Sequence, residues 1–352
     1  MEKKFDFVGF GECLVRFSPH GNTRFEQADS MRLSTAGAEL NCAVNLAELG
    51  LKTKWVSKGC DNWGGRYIRN KGREHNVNMD DYVLVPYDGS GRRERNGICF
   101  VEIGVGPRGN TQLFDRGHSA FSKIDFNEFE WKRLLGETKW FGTSGVTTAI
   151  SPQAAEAAEK SLKKAKEMGV STSFDLNFRA TMWDSEQAQA CMKKIMPYVD
   201  LIVGNEEDFE KMLGLKAEGG NEAYSKLDSA NYEQVARRVR EIYPNVKYVG
   251  NTLRDAKSGL LNDWQVVMLY DDKFYVSRQY DNVEIIDRTG AGDSFAAAIM
   301  YSLMTGEFQG QDVVEFAAAY SALCHGYFGP WNWARKQEAV RVMKGGNARV
   351  IR

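Results

Sequence analysis

From about residue 53 onward the chain alternates short apolar runs with longer amphipathic stretches. Thr53–Lys58, Trp140–Ser144, Val170–Asp175, Val199–Gly204 and Val246–Asn251 are rich in β-branched or aromatic side chains. They are too short for helices and read as strands. Helical signals lie between them, most clearly over 151–168, where Ser151 stands as a cap, Pro152 at the first helical position and Gly169 as the stop. Alternating strands and helices predict a mainly parallel central sheet covered on both faces, a three-layer α/β/α body.

Two segments break this rhythm. Residues 13–36 and 88–121 hold the alternating runs Leu14–Phe17, Ile98–Ile103 and Thr111–Phe114, with no good helix. They predict a small antiparallel sheet set apart as a lid, which leaves residues 1–12, 37–87 and 122–352 as the core. The polar stretch 216–231 reads as a surface insertion.

Composition narrows the function classes. A length of 352 residues suits one large elaborated domain or two modest ones. A formal net charge of −1 gives no support for nucleic acid or an anionic membrane as partner. No apolar run approaches the ~18 residues of a membrane span, and the N-terminus enters strand-like sequence with no signal-peptide core. The six cysteines are scattered and the four histidines stand alone, so neither a disulfide framework nor a zinc site is indicated. The expected location is the reducing cytoplasm.

The densest chemical signal is Asp287-Arg-Thr-Gly-Ala-Gly-Asp-Ser-Phe295, a glycine-rich turn that runs into an apolar helix. Such a turn aims backbone N–H groups and the positive end of a helix dipole at one point, where anions bind. Asp293 beside that pocket is either a helix cap or a base next to an anion hole, the pairing that phosphoryl transfer to a hydroxyl requires. Gly37 and Asn41 open a helix that ends at Gly50, where backbone and amide can reach a polyol; taken alone this is only a capped core helix. Phe174-Asp-Leu-Asn-Phe-Arg179 and Val199–Asp208 each end a strand in polar residues, at the sheet edge where ligands bind. Asn205 there could cap the next helix, or the carboxylates could organise Mg²⁺ through water. Gly104-Val-Gly-Pro-Arg-Gly109 fits a dinucleotide fingerprint in letters only; a strand follows it, so a hairpin turn is the reading.

Together these motifs make the chain resemble the ribokinase-like (phosphofructokinase-B) carbohydrate kinases over nearly its full length. The family's D-x-x-G-A-G-D-x-F signature stands unchanged at 287–295. Its G-G-x-x-x-N signature matches from Gly37 to Gly50 with Ala36 in place of the first glycine. Its N-x-x-E motif appears as Asn205 to Asp208, an Asp for the usual Glu. Within the family, Asp175–Arg179 followed by Met182-Trp183, and Leu113–Arg116 followed by Ser119-Ala120, are similar to 2-keto-3-deoxygluconate kinases. The resemblance implies ATP-dependent phosphorylation of the primary hydroxyl of a sugar acid. It implies Asp293 as base, with Gly290, Ala291 and Gly292 holding the phosphoryl charge. It places Gly37, Asn41, Arg116 and Arg179 on the sugar, and Asn177, Asn205, Thr252, Arg254 and Gly259 near ATP. Asp208, shared with Glu207, would hold Mg²⁺ through water, and Asp287 resembles a residue that helps bind a monovalent cation such as K⁺. A homodimer through the lid is implied likewise. Two other readings stay open: a kinase of a neutral sugar such as fructose or ribose, and a non-catalytic sugar-binding regulator.

Overall fold

The computed structural model describes residues 2–216 and 229–346; most of the polar stretch expected as an insertion lies outside them. The strands are β1 (Phe5–Phe10), β2 (Leu14–Pro19), β3 (Met31–Ala36), β4 (Thr53–Cys60), β5 (Tyr82–Val85), β6 (Ile98–Glu102), β7 (Thr111–Asp115), β8 (Thr138–Ser144), β9 (Ser171–Asp175), β10 (Leu201–Asn205), β11 (Tyr248–Ser258), β12 (Leu261–Tyr270), β13 (Lys273–Val276) and β14 (Tyr280–Glu284). Ten of them form one sheet in the order β13-β12-β11-β10-β9-β8-β1-β4-β5, with β14 also paired to β12. Pairing is parallel from β11 across to β5. The chain order reverses between β1 and β8, and crevices at such reversals, beyond the carboxyl ends of the strands, are where open α/β sheets bind ligands.

Side chains alternate between two cores as the pleat requires. Phe7, Trp140, Leu201 and Val203 face the helices Ala38–Glu48, Ala291–Thr305 and Gln311–Cys324. Val8, Phe141 and Ile202 face the helices Pro152–Glu167 and Ser185–Ile195. The Pro152–Glu167 helix starts and stops as its sequence dictates. The Ser151 side chain accepts from the Ala154 N–H at 3.1 Å, and Gly169 takes φ +68°. The far edge departs from the expectation: the strand begun near Val246 runs on to Ser258 and folds back, so β12, β13 and β14 add antiparallel strands. Among the described residues no helix is long and apolar enough to cross a membrane.

A separate four-stranded sheet has the order β3-β2-β6-β7. It is mixed rather than antiparallel. β2/β3 and β6/β7 are antiparallel hairpins, but β2 and β6 run parallel because the chain passes through the main body between them. The glycines at 104–109 form the β6–β7 hairpin connection.

Candidate active site

The carboxyl ends of the central strands open into a cavity of about 430 Å³. β9 delivers Asp175, β10 Asn205, and β11 Thr252 and Arg254. The helix Ala291–Thr305 brings Asp293 in its first turn. The small sheet adds Leu14, Cys99, Val101 and Phe114 from one of its faces, and Arg116 follows β7.

The turn before Asp293 is built around Gly290, which caps the helix at φ 91°. A Cβ there would collide with the Pro330 carbonyl oxygen, so only glycine fits. At Gly292 a Cβ would meet nothing within 4 Å, so that position faces open space. The first intrahelical bond is Ser294 N–H to Gly290 C=O, 2.8 Å. Earlier N–H groups of the first turn have no helical partner and point an anion-binding end at the cavity. Asp293 is 8% exposed, and its Oδ2 accepts from Asn41 Nδ2 at 2.7 Å. Burial pushes its carboxyl up to about 6, opposed by the Asn41 bond and by the Arg179 charge. Such a group is ionised at neutral pH yet basic enough to take a proton.

Asn41, expected on a sugar hydroxyl, is tied at both ends of its amide. Beyond the bond to Asp293, its Oδ1 accepts from Trp331 Nε1 at 2.9 Å. Gly37 lines the cavity, and any larger residue would press on Glu12 and Cys13 of the neighbouring strand approach. Arg116 also lines it, with a partner that the sequence did not suggest. Its Nε and Nη2 both donate to Glu12 Oε2, at 2.8 and 2.6 Å. Arg179 lines the cavity with Nη1 on the Phe178 carbonyl and its charge felt by Asp175, Asp208 and Asp293.

Asn205 and Asp208 form a capping box: Asn205 Oδ1 accepts from Asp208 N–H at 3.1 Å, and Asp208 Oδ2 from Asn205 N–H at 2.9 Å. Asp208 Oδ1 takes the Phe178 N–H at 2.8 Å. Both oxygens of the expected metal carboxylate thus accept backbone donors, whereas Glu207 is exposed and lines the cavity. Asn177 sits beside them at φ +42°, its amide on Asp175 Oδ2 at 3.3 Å. Burial, with Asp293 and Asp208 nearby, holds the Asp175 carboxyl well above the ordinary range. No group of three or more His, Cys, Asp or Glu among the described residues is arranged as a metal cage.

Two expectations need correction. Asp287 does not present a cation site: its Oδ2 meets the Arg16 guanidinium at 2.6 Å and the Gly329 N–H at 3.0 Å, and its Oδ1 the Thr289 N–H at 3.0 Å. Every one of those neighbours is positive or a donor. Gly259 is outside the cavity lining, packed against Gly104 and Arg108 of the β6–β7 connection, where a Cβ would be too close. Of the arginines and histidines in the lining, two were missed. Arg288 lies inside the signature at one of its variable positions, and its Nη2 donates to the Ser258 and Gly259 carbonyls at 3.1 and 3.2 Å. His325 stands edge-on to Trp264 at 4.8 Å, and burial lowers its pKa to about 4. Nothing in the sequence around His325 marks it.

The profile of the pfkB family carbohydrate kinases matches residues 6–239 and 266–334. A 2-dehydro-3-deoxygalactonokinase of Haloferax volcanii is 28% identical over 347 residues, 99% of each chain. The crystal structure of a 2-dehydro-3-deoxygluconokinase from Thermotoga maritima is 36% identical, with TM-score 0.90 over 97% of this chain and 100% of its own. That of a putative ribokinase II from E. coli in complex with ATP and Mg²⁺ shares the fold at 18% identity, with TM-score 0.76 over 97% and 99% of the two chains. With a cavity at the sheet's carboxyl edge, a buried carboxylate at an open helix N-terminus and these likenesses along nearly all its length, the chain belongs to the pfkB family of carbohydrate kinases.

Proposed function

We propose that this kinase transfers the γ-phosphoryl group of ATP to the terminal primary hydroxyl of a sugar acid, 2-keto-3-deoxygluconate or its galactonate epimer. The observation that carries the reading is the Asp293 carboxylate, with Oδ2 held by Asn41 and no described residue donating to Oδ1, beside the open first turn of its helix. Asp293 accepts the hydroxyl proton as the hydroxyl oxygen bonds to the γ-phosphorus and the bond to the β-phosphate oxygen breaks. The N–H groups near Gly290, Ala291 and Gly292 hold the migrating charge. We assign Thr252, Arg254, Arg288, Asn177 and Asn205, all in the cavity lining, to the nucleotide. Bound Mg²⁺ would supply charge neutralisation on the phosphates; Glu207, exposed in the lining, suits it through water better than Asp208, each of whose oxygens already accepts a backbone N–H. We assign no monovalent cation to Asp287.

The acid preference rests on Arg116 and Arg179 in the lining and on the names of the relatives. Arginine's planar fork suits a carboxylate. The Glu12–Arg116 pair favours a second reading, a neutral-sugar kinase, because Glu12 already balances that guanidinium. An ADP-release screen of sugar acids against fructose and ribose decides; equal or better turnover of a neutral sugar defeats the acid reading alone. We assign the small sheet the role of a lid. Its face away from the cavity carries the cross-strand row Leu33, Phe17, Phe100 and Leu113, with Leu33 and Leu113 exposed by 45% and 56%. A second copy of the chain is the partner we assign to that row, and sedimentation of Leu113→Glu tests it. The six free cysteines fit a reducing compartment, the cytoplasm.

A further inference from the structure

The loop from Gly329 to Asn332 lies between the helices Gln311–Cys324 and Lys336–Met343 and meets the signature turn with its first two residues and the Ala38–Glu48 helix with its last two. Gly329 N–H bonds Asp287 Oδ2, and the Pro330 carbonyl lies against Gly290. Trp331 Nε1–H donates to Asn41 Oδ1 at 2.9 Å, and Asn332 N–H donates to Asn45 Oδ1 at 3.0 Å. The other ends of the same two amides reach the signature helix: Asn41 Nδ2 to Asp293 Oδ2 at 2.7 Å, and Asn45 Nδ2 to Ser294 Oγ at 3.2 Å. Two asparagines one helical turn apart thus bridge the loop to the catalytic helix.

We propose that Trp331 is a positioning residue for the proton-accepting carboxylate, acting through Asn41. An asparagine amide can flip, and the flipped form would aim its oxygen at the Asp293 carboxylate. The indole N–H is a donor only, so it can meet only the amide oxygen. That contact leaves the NH₂ group to face Asp293, fixes Oδ2, and turns Oδ1 toward the acceptor hydroxyl. The His75 ring stands edge-on to the indole at 4.5 Å, and the residue packs in the core at 6% exposed, so the donor is held in place. The inference rests on Asp293 being the base and adds what aims it.

The test measures kcat, both KM values and the pH profile for wild type, Trp331→Phe, Asn41→Ala and the double variant. Phenylalanine keeps the ring and removes the donor. Trp331→Phe is expected to lower kcat roughly 5- to 30-fold, the worth of one orienting hydrogen bond, with the KM for ATP within about twofold of wild type. Asn41→Ala removes a donor that favours the ionised carboxylate, so the acid limb of kcat should move up by roughly one to two pH units. The charges around Asp293, namely Arg179, Asp175 and Glu39, and the His75–Glu48 pair behind the indole are unchanged in these variants. In the Asn41→Ala background, Trp331→Phe should add no further loss, since its route to Asp293 is gone. Additive losses, or an unmoved acid limb in Asn41→Ala, overturn the inference. Should Trp331→Phe not fold, Trp331→Leu and Trp331→His, which lack and keep a ring N–H, carry the comparison instead: equal kcat in the two overturns the inference. Asp293→Asn separates the two readings: retained turnover there removes the base, whereas its collapse with additive losses elsewhere removes only the positioning.

Discussion

Replacing Arg116 by alanine separates what that residue does for the substrate from what it does for the fold. Its fork grips one oxygen of Glu12, a residue 4% exposed whose Oε1 has no partner. Removing the arginine therefore strands a buried carboxylate, and breaking such a pair from one side costs about 3–5 kcal/mol. With Arg116 10% exposed at its side chain, the lower end of that range is expected. The catalytic effect is separate: a charge-assisted bond to the substrate carboxylate is worth ~1.5–3 kcal/mol, so kcat/KM for 2-keto-3-deoxygluconate should fall roughly 10- to 150-fold. The KM for ATP should change little. Adding Glu12→Gln to Arg116→Ala removes the stranded charge and should restore much of the thermal stability but none of the activity toward the acid. Melting curves and ADP-release kinetics on the single and double variants read the two effects independently. If the double variant regains acid turnover, the loss was structural. If Arg116→Ala harms fructose turnover by the same factor, the arginine does not read a carboxylate.

Four further outcomes follow from the site. Asp293→Asn should keep the fold and ATP binding while kcat drops by ~10²–10⁴, the worth of a positioned base; binding isotherms and turnover check it, and turnover within a few-fold of wild type removes Asp293 from the role. Burial raises Asp293 to about 6, so the reactive ionised form predominates above that pH, and kcat should fall about tenfold per unit below it; a flat kcat from pH 7 to 5 contradicts the assignment. Gly292→Asp has room for its side chain yet sets it before the open helix turn, so it should melt near wild type and lose turnover; Gly290→Ala, with φ 91° and the Pro330 carbonyl in the way, should lose stability as well. Hydrogen exchange at 95–103 and 111–114 should slow when sugar acid and a non-hydrolysable ATP analogue are added together; protection near Asp293 without any there means that the small sheet does not close.

The parts of the fold that were legible are those fixed by local periodicity. Runs such as Leu201–Gly204 carry no polar side chain because both faces of a central strand are covered, and Ser151, Pro152 and Gly169 mark a helix by chemistry that acts within a few residues. The β11–β12 extension was not legible. Residues after Leu253 turn polar because that part of the strand leaves the core, where Arg254 and Lys257 are exposed. The parallel β2/β6 pair escaped for a related reason, since direction depends on where the chain travels between two strands.

The site divides in the same way. Gly290 to Asp293 could be read as a turn opening a helix because four adjacent residues make that turn by themselves. Asp287 could not: the same letter serves a cation site or an ion pair, and the outcome turns on Arg16, which the small sheet brings to 2.6 Å. Arg116 lies in the lining, but its partner Glu12 lies 104 residues away in sequence. Asn41 is the most instructive case. A capped core helix and a polar group at the site were treated as competing descriptions, and the structure makes them one. The amide is buried in the core because Trp331, 290 residues on, binds one end, and it serves the site because Asp293 takes the other. A motif names the groups that react, while their orientation depends on contacts that only the folded chain brings together.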